Sequence, residues 1–339
     1  MNKHELLWRG IWGLDAADLS DPKAGGVVIF ARNLDPDPET GPERLFNLNN
    51  DIQKIWGADC PVAIAIDQEG GKVSRLRKWV GETPPLRQIW LTGRERDCEL
   101  WGRLWGQGLT LLGISVDFAP VLDLYDGREE TGLGSRCASE DPEETAAAAG
   151  AFLDGIESTG VRGCLKHFPG LCGTDIDSHI AMPSISDPAT IAKNVIPFLR
   201  LANSDRLIMV AHLQTPTSEG IPASLHRSYV AENRWGISGR WIPDDMEMGG
   251  CQASDWNTRV AQAIKAGHQA LLVCQTPEAV KQAADAAKAL DDSMAGSAIE
   301  AFRSLRKTLK PMPKSFDKTS WMAWLDEVQR QSEKVLQLD

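Results

Sequence analysis

The stretch Val161-Arg162-Gly163-Cys164-Leu165-Lys166-His167-Phe168 runs on into Pro169-Gly170-Leu171-Cys172-Gly173-Thr174-Asp175-Ile176-Asp177-Ser178-His179. A largely apolar segment thus opens directly into a loop dense with ionisable groups. A buried strand that ends in Lys-His, followed by a loop punctuated by Gly and Pro and carrying Asp177 and His179, is the arrangement of a catalytic mouth. Taken alone, the stretch also reads as a polar turn that happens to hold histidines. The flanking sequence decides between the two.

Further apolar, β-branched runs lie at 26–31, 61–67, 115–123, 207–213, 221–225, 240–245 and 269–274, and with 161–168 they make eight strand candidates. Between them fall amphipathic segments at 43–56, 97–112, 142–158, 189–202, 256–266 and 277–290, each long enough for a crossover helix. Asp141-Pro142-Glu143-Glu144 is a clear helix start, with an N-cap, a proline at the first helical position and acids in the first turn. Strands alternating with helices predict a parallel sheet, and eight of them predict an α/β fold built as one (β/α)₈ TIM barrel. The barrel is expected over residues 1–310. Helical patterns at 293–309 and 320–336 are expected to pack on its outside, with 311–339 as a C-terminal helical extension.

The composition narrows the function. Of 339 residues, 42% are hydrophobic and 24% charged, as in a globular chain, and no window approaches the ~18 apolar residues of a membrane span. The N-terminal apolar segment is broken by Arg9 and lacks a small-residue cleavage site, so a cytoplasmic location is expected. Seven scattered cysteines without a C-x-x-C pair suit a reducing compartment and predict neither a disulfide framework nor a zinc site. A net charge of −11 with no basic stripe argues against nucleic acid. A neutral or small substrate is easier to accommodate, and no membrane partner, no cofactor, no metal and a monomer are expected. Twelve tryptophans beside two tyrosines are read chiefly as packing residues.

In a barrel of this kind the chemistry gathers at the C-terminal strand ends. The candidate strands end in Asp67 with Arg75 soon after, in Asp123 with Arg136 in the next loop, in Lys166-His167, in His212, in Ser224, and in Asp244-Asp245. Such an array offers directional donors and acceptors to a polyhydroxylated ligand. Acetal cleavage needs a nucleophile or base on one face of the sugar and a proton donor for the leaving oxygen. Asp244 suits the first role and His179 the second, with Asp177 placed to fix the imidazole tautomer.

These residues stand in short motifs: Gly25-Gly26-Val27-Val28-Ile29-Phe30-Ala31-Arg32-Asn33, Asp67-Gln68-Glu69-Gly70-Gly71-Lys72-Val73-Ser74-Arg75, Phe118-Ala119-Pro120-Val121-Leu122-Asp123, Lys166-His167-Phe168-Pro169-Gly170, Asp177-Ser178-His179 and Asp244-Asp245-Met246-Glu247-Met248. In this order the chain resembles the single-domain β-N-acetylglucosaminidases of glycoside hydrolase family 3 that act in bacterial peptidoglycan recycling. The resemblance implies that Asp244 is a nucleophile forming a covalent glycosyl-enzyme, and that His179 with Asp177 is the acid/base dyad. It further implies that Asp67, Arg75, Arg136, Lys166, His167 and His212 bind substrate, a terminal β-linked N-acetylglucosamine. Leu171-Cys172-Gly173 stands where the family commonly has His-Gly-Asp, and Pro243 replaces the usual Ser or Thr before the nucleophile, removing a backbone donor.

Three other readings compete. A metal-dependent hydrolase would need His167, His179, His212 and Asp244 to converge, and 27–33 lacks the His-x-His usual on the first strand of such barrels. A sugar-binding protein without catalysis would have no use for a nucleophile and an acid together. A family member with another β-glycoside preference, such as a β-glucosidase or phosphorylase, differs only in a few pocket contacts.

Overall fold

The computed structural model describes residues 2–16, 19, 22–129, 132–174, 181–251 and 254–337. Among these, eight parallel strands close into a barrel: β1 (Leu7–Gly10), β2 (Gly26–Ile29), β3 (Ala63–Ile66), β4 (Val116–Asp117), β5 (Cys164–Phe168), β6 (Leu207–Val210), β7 (Arg240–Pro243) and β8 (Leu271–Val273). The ladder runs β8-β1-β2-β3-β4 in one arc and β5-β6-β7 in the other. Cys164 N–H donates to Ala119 O at 2.8 Å across the first gap, and Gln269 N–H to Trp241 O at 2.9 Å across the second.

Two strand assignments differ from expectation. The first strand is Leu7–Gly10, which pairs with both β2 and β8. Its Arg9 reads as a break in the apolar pattern, yet the guanidinium is buried, donates to Pro22 O at 2.9 Å and lies between the rings of Trp12 and Trp56. Conversely, 221–225 is not a strand. Ala223–Leu225 forms a 3₁₀ turn within a β6–β7 connection that has no crossover helix.

The crossover helices are α1 (Gly41–Trp56), α2 (Leu86–Leu111), α3 (Pro142–Ser158), α4 (Pro188–Leu201), α5 (Trp256–Ala266) and α6 (Pro277–Lys288), followed by α7 (Asp292–Thr308) and α8 (Lys318–Leu336). Asp141, Asp187, Asp255, Asp291 and Asp317 each accept backbone N–H bonds as N-caps.

Side chains alternate along the strands. Val27, Ile64, Ile208 and Leu271 face the helices, while Trp8, Val28, Ala63, Val116, Cys164, Leu207, Ile242 and Leu272 form the barrel interior. Trp8 fits only because Gly26 has no Cβ, which would lie 2.4 Å from the indole. Phe302 and Leu305 of α7 and Leu309 just after it join this interior layer, with Phe302 5.4 Å from Trp8. Helix α7 therefore plugs the N-terminal end of the barrel, where an outer position was expected, and Glu5 locks it there through Arg303 and Arg306. Helix α8 packs on α2 through Trp101, Trp105, Trp321 and Trp324, so these indoles serve packing.

Candidate active site

The plugged end leaves the opposite, C-terminal end for chemistry. Asp67 follows β3 directly. The next residues fold back as an antiparallel hairpin, Gln68–Gly70 against Val73–Ser74, with Gly70 and Gly71 at positive φ in the turn. Asp117 of β4 accepts the Gln68 N–H at 2.9 Å. The hairpin returns Arg75 to Asp67, where Nη2 donates to Oδ2 at 3.1 Å.

The same hairpin turns Glu69 inward, and that residue was absent from the expected site. Arg136 grips it bidentately, Nε to Oε2 at 2.8 Å and Nη2 to Oε1 at 2.9 Å. Lys166 Nζ lies 2.5 Å from Glu69 Oε1 and 3.0 Å from Asp67 Oδ1. Asp67, Glu69, Arg75, Arg136 and Lys166 thus form one network drawn from three strands, with Glu69 and Lys166 buried at its centre. Burial raises a carboxyl pKa, but here the cations outweigh it. Lys166 and Arg75 hold Asp67 well below the usual carboxylate range, and Arg136 and Lys166 pull Glu69 down to about 2. Burial likewise opposes the charge on Lys166, and Glu69 and Asp67 reverse it, raising its pKa. The opposed charges thus hold Asp67, Glu69, Arg136 and Lys166 in their charged forms.

The β5–β6 register shifts between Leu165 and Phe168, so Lys166 and His167 both reach polar partners at the mouth. His167 Nδ1 lies 2.6 Å from Asp123 Oδ2, and Asp123 Oδ1 accepts the Leu171 N–H at 2.8 Å. Asp123, named at its strand end without a role of its own, therefore ties the histidine to the start of the following loop. Asn194 of α4 donates to Cys172 O at 2.8 Å, and Arg128 to Thr174 O at 2.8 Å. The loop is thus held through its main chain, which suits Leu171-Cys172-Gly173. Asp177 and His179 lie outside the described residues.

Asp244 follows β7. Its N–H donates to Val210 O at 2.9 Å, so the backbone at this position is anchored despite the preceding proline. Its Oδ1 accepts the Asp245 N–H at 2.8 Å, and among the described residues Oδ2 carries no hydrogen bond. Cys164 lies in the interior layer two residues before Lys166, within electrostatic reach of Asp67, Asp117 and Asp244. Burial pushes this thiol up, Lys166 opposes the rise, and Asp67, Asp244 and Asp117 add to it.

His212 departs from expectation. It is fully buried, Nδ1 lies 2.6 Å from Ser224 Oγ, and Nε2 lies 2.9 Å from Asp245 O. Both ring nitrogens are engaged behind Asp244, so His212 supports that strand end and has no polar atom left for substrate. Sequence places it at a strand end but cannot tell which way the ring turns. The metal-hydrolase reading loses a ligand by the same geometry, since a nitrogen bound to a carbonyl is not free to coordinate.

Residues 13–306 match the glycosyl hydrolase family 3 N terminal domain. The β-hexosaminidase of Pseudomonas aeruginosa (strain LESB58) is 34% identical over 277 residues, covering 78% of this chain and 80% of that protein. The β-hexosaminidase of Thioalkalivibrio sulfidiphilus is 32% identical over 288 residues, covering 81% and 79%. A family 3 glycosyl hydrolase from Mycobacterium smegmatis superposes with a TM-score of 0.79 at 27% identity, covering 91% of this chain and 98% of that one. NagZ from Neisseria gonorrhoeae, solved with N-trifluoroacetyl-D-glucosamine, shares the fold with a TM-score of 0.78 at 24% identity, covering 96% and 98%. A barrel with buried, charge-fixed groups at one mouth and a match across most of its length place this chain in glycosyl hydrolase family 3.

Proposed function

We propose that the protein is a retaining exo-β-N-acetylglucosaminidase that removes terminal β-linked N-acetylglucosamine, with muropeptide fragments of peptidoglycan recycling as its substrates. The observation that carries this reading is the Asp67–Lys166–Glu69–Arg136 network at the mouth of a family 3 barrel whose relatives include β-hexosaminidases.

Asp67, Arg75, Arg136, Lys166 and His167 hold the sugar hydroxyls. An Asp244 oxygen attacks the anomeric carbon as its bond to the leaving oxygen breaks, and protonated His179, oriented by Asp177, gives that oxygen its proton. Neutral His179 then takes a proton from water, whose oxygen attacks the anomeric carbon and releases Asp244. Two displacements at one centre leave the β configuration unchanged. The reaction uses no cofactor, and the enzyme acts as a cytoplasmic monomer.

Turnover of a chromogenic β-N-acetylglucosaminide, compared with the β-glucoside and with chelator present or absent, tests the substrate class. Chelator-resistant release from the acetylated substrate alone is expected, with the β-anomer formed first. Preference for the glucoside would move the assignment to another β-glycoside specificity. Loss of turnover with chelator would revive the metal-dependent reading.

A further inference from the structure

We infer that Asp245 is the positioning residue of the nucleophile strand: its carboxylate ties the end of β7 to the segment past β8, beyond the stretch where Pro243 interrupts their hydrogen-bond ladder, and so fixes how Asp244 presents its own carboxylate. The inference rests on Asp244 being the nucleophile.

In a parallel strand, successive N–H groups point alternately to the two neighbours. Those of Arg240 and Asp244 reach β6, bonding Arg206 O at 2.8 Å and Val210 O at 2.9 Å. The donor of residue 243 would therefore face β8, and Pro243 has none. The sheet pairing accordingly joins β7 to β6 and leaves β7 and β8 unladdered. Two main-chain bonds cross that seam, Gln269 N–H to Trp241 O at 2.9 Å below the gap and Met246 N–H to Leu272 O at 3.0 Å above it.

Asp245 adds a side-chain tie on the mouth side of the second bond. Its Oδ1 accepts the Cys274 N–H at 3.2 Å and its Oδ2 accepts from Gln275 Nε2 at 2.6 Å, both just past β8. Oδ1 also accepts the Glu247 N–H at 3.2 Å. On the other side the Asp245 carbonyl meets His212 Nε2 from the end of β6 at 2.9 Å. One residue is thus tied to both neighbouring strands, and its N–H bonds Asp244 Oδ1, which leaves Oδ2 for the mouth. Asp245 is only 6% exposed, so water has little room to replace these acceptors if the carboxylate is removed.

The test compares wild type, Asp245→Ala, Asp245→Asn and Gln275→Ala on aryl β-N-acetylglucosaminides with good and poor leaving groups. Asp245→Ala is expected to lower kcat about 100-fold, the scale of an ångström misplacement, with KM little changed and an equal loss for both leaving groups. Asp245→Asn keeps an acceptor for Cys274, and the Gln275 amide turns over to meet it, so most of kcat returns. Gln275→Ala falls between the two. A kcat for folded Asp245→Ala within threefold of wild type, or a loss confined to KM, overturns the inference. If wild type turns over no N-acetylglucosaminide, the substrate reading fails separately, and hydrogen exchange judges the clamp. Asp245→Ala should then expose the Cys274 and Met246 amides while Ile66 stays protected, and unchanged protection at Cys274 refutes it.

Discussion

Lys166 and Glu69 meet at 2.5 Å although one stands at the middle of β5 and the other lies in the hairpin after β3. The contact joins two strands that are not neighbours in the barrel, across its mouth, and Glu69 passes the constraint on to Arg136. Removing Glu69 leaves Lys166 and Arg136 competing for fewer acceptors in a buried site. Glu69→Ala is expected to cost about 3–5 kcal/mol, measured by urea unfolding at pH 7.

The sign of the pH dependence follows from the direction of the shift. Glu69 sits at about 2 in the folded protein against an ordinary value of 4.5, so it stabilises the fold when ionised. That contribution is full above pH 4.5 and fades as pH falls towards 2. The gap in unfolding free energy between wild type and Glu69→Ala should therefore narrow below pH 4.5. A gap unchanged at pH 3 would contradict the charge network.

Asp244→Ala should lower turnover by about 10⁴-fold or more while the melting temperature stays near that of wild type. Full turnover by this variant would refute the nucleophile. His179→Ala should cost about 10²–10⁴-fold on poor leaving groups and far less on dinitrophenyl glycosides, because a good leaving group needs no proton. Equal losses on the two would count against the acid role.

Lys166→Met keeps the stem and removes the charge that Asp67 and Glu69 share. If these residues hold the sugar, kcat/KM should drop by about 10²-fold or more, since a buried network left half-satisfied also loses its geometry. Steady-state kinetics on the acetylated substrate reads this directly.

Phe302→Ala removes the ring that plugs the barrel against Trp8. A loss of about 3–5 kcal/mol is expected in chemical denaturation. KM should not move, because the plug lies at the end of the barrel opposite the mouth.

Sequence periodicity located the crossover helices because their starts are written in local chemistry. Pro142–Ser158 and Trp256–Ala266 match expectation end to end, each behind a capping aspartate. Strand β1 escaped because its burial of Arg9 depends on Trp12, Trp56 and the Pro22 carbonyl, none of which a local window weighs. Ile221 to Leu225 looked like a strand because apolar residues in a tight turn share that composition. At the mouth, the strand ends named Asp67, Lys166, His167 and Asp244, whereas Glu69 required knowing that the hairpin folds inward. The Gly70-Gly71 turn after it was the available signal. The orientation of His212 had no sequence signal at all.

The pairing of Leu7 with Leu271 sets an order on the birth of the molecule. A chain growing from its first residue carries β1 out of the ribosome long before β8 exists, so one edge of β1 waits unpaired through nearly the whole of synthesis. Closure is therefore a late, long-range event, slow by the entropy of bringing such distant segments together. Until it happens, the cylinder is an open sheet with a sticky margin.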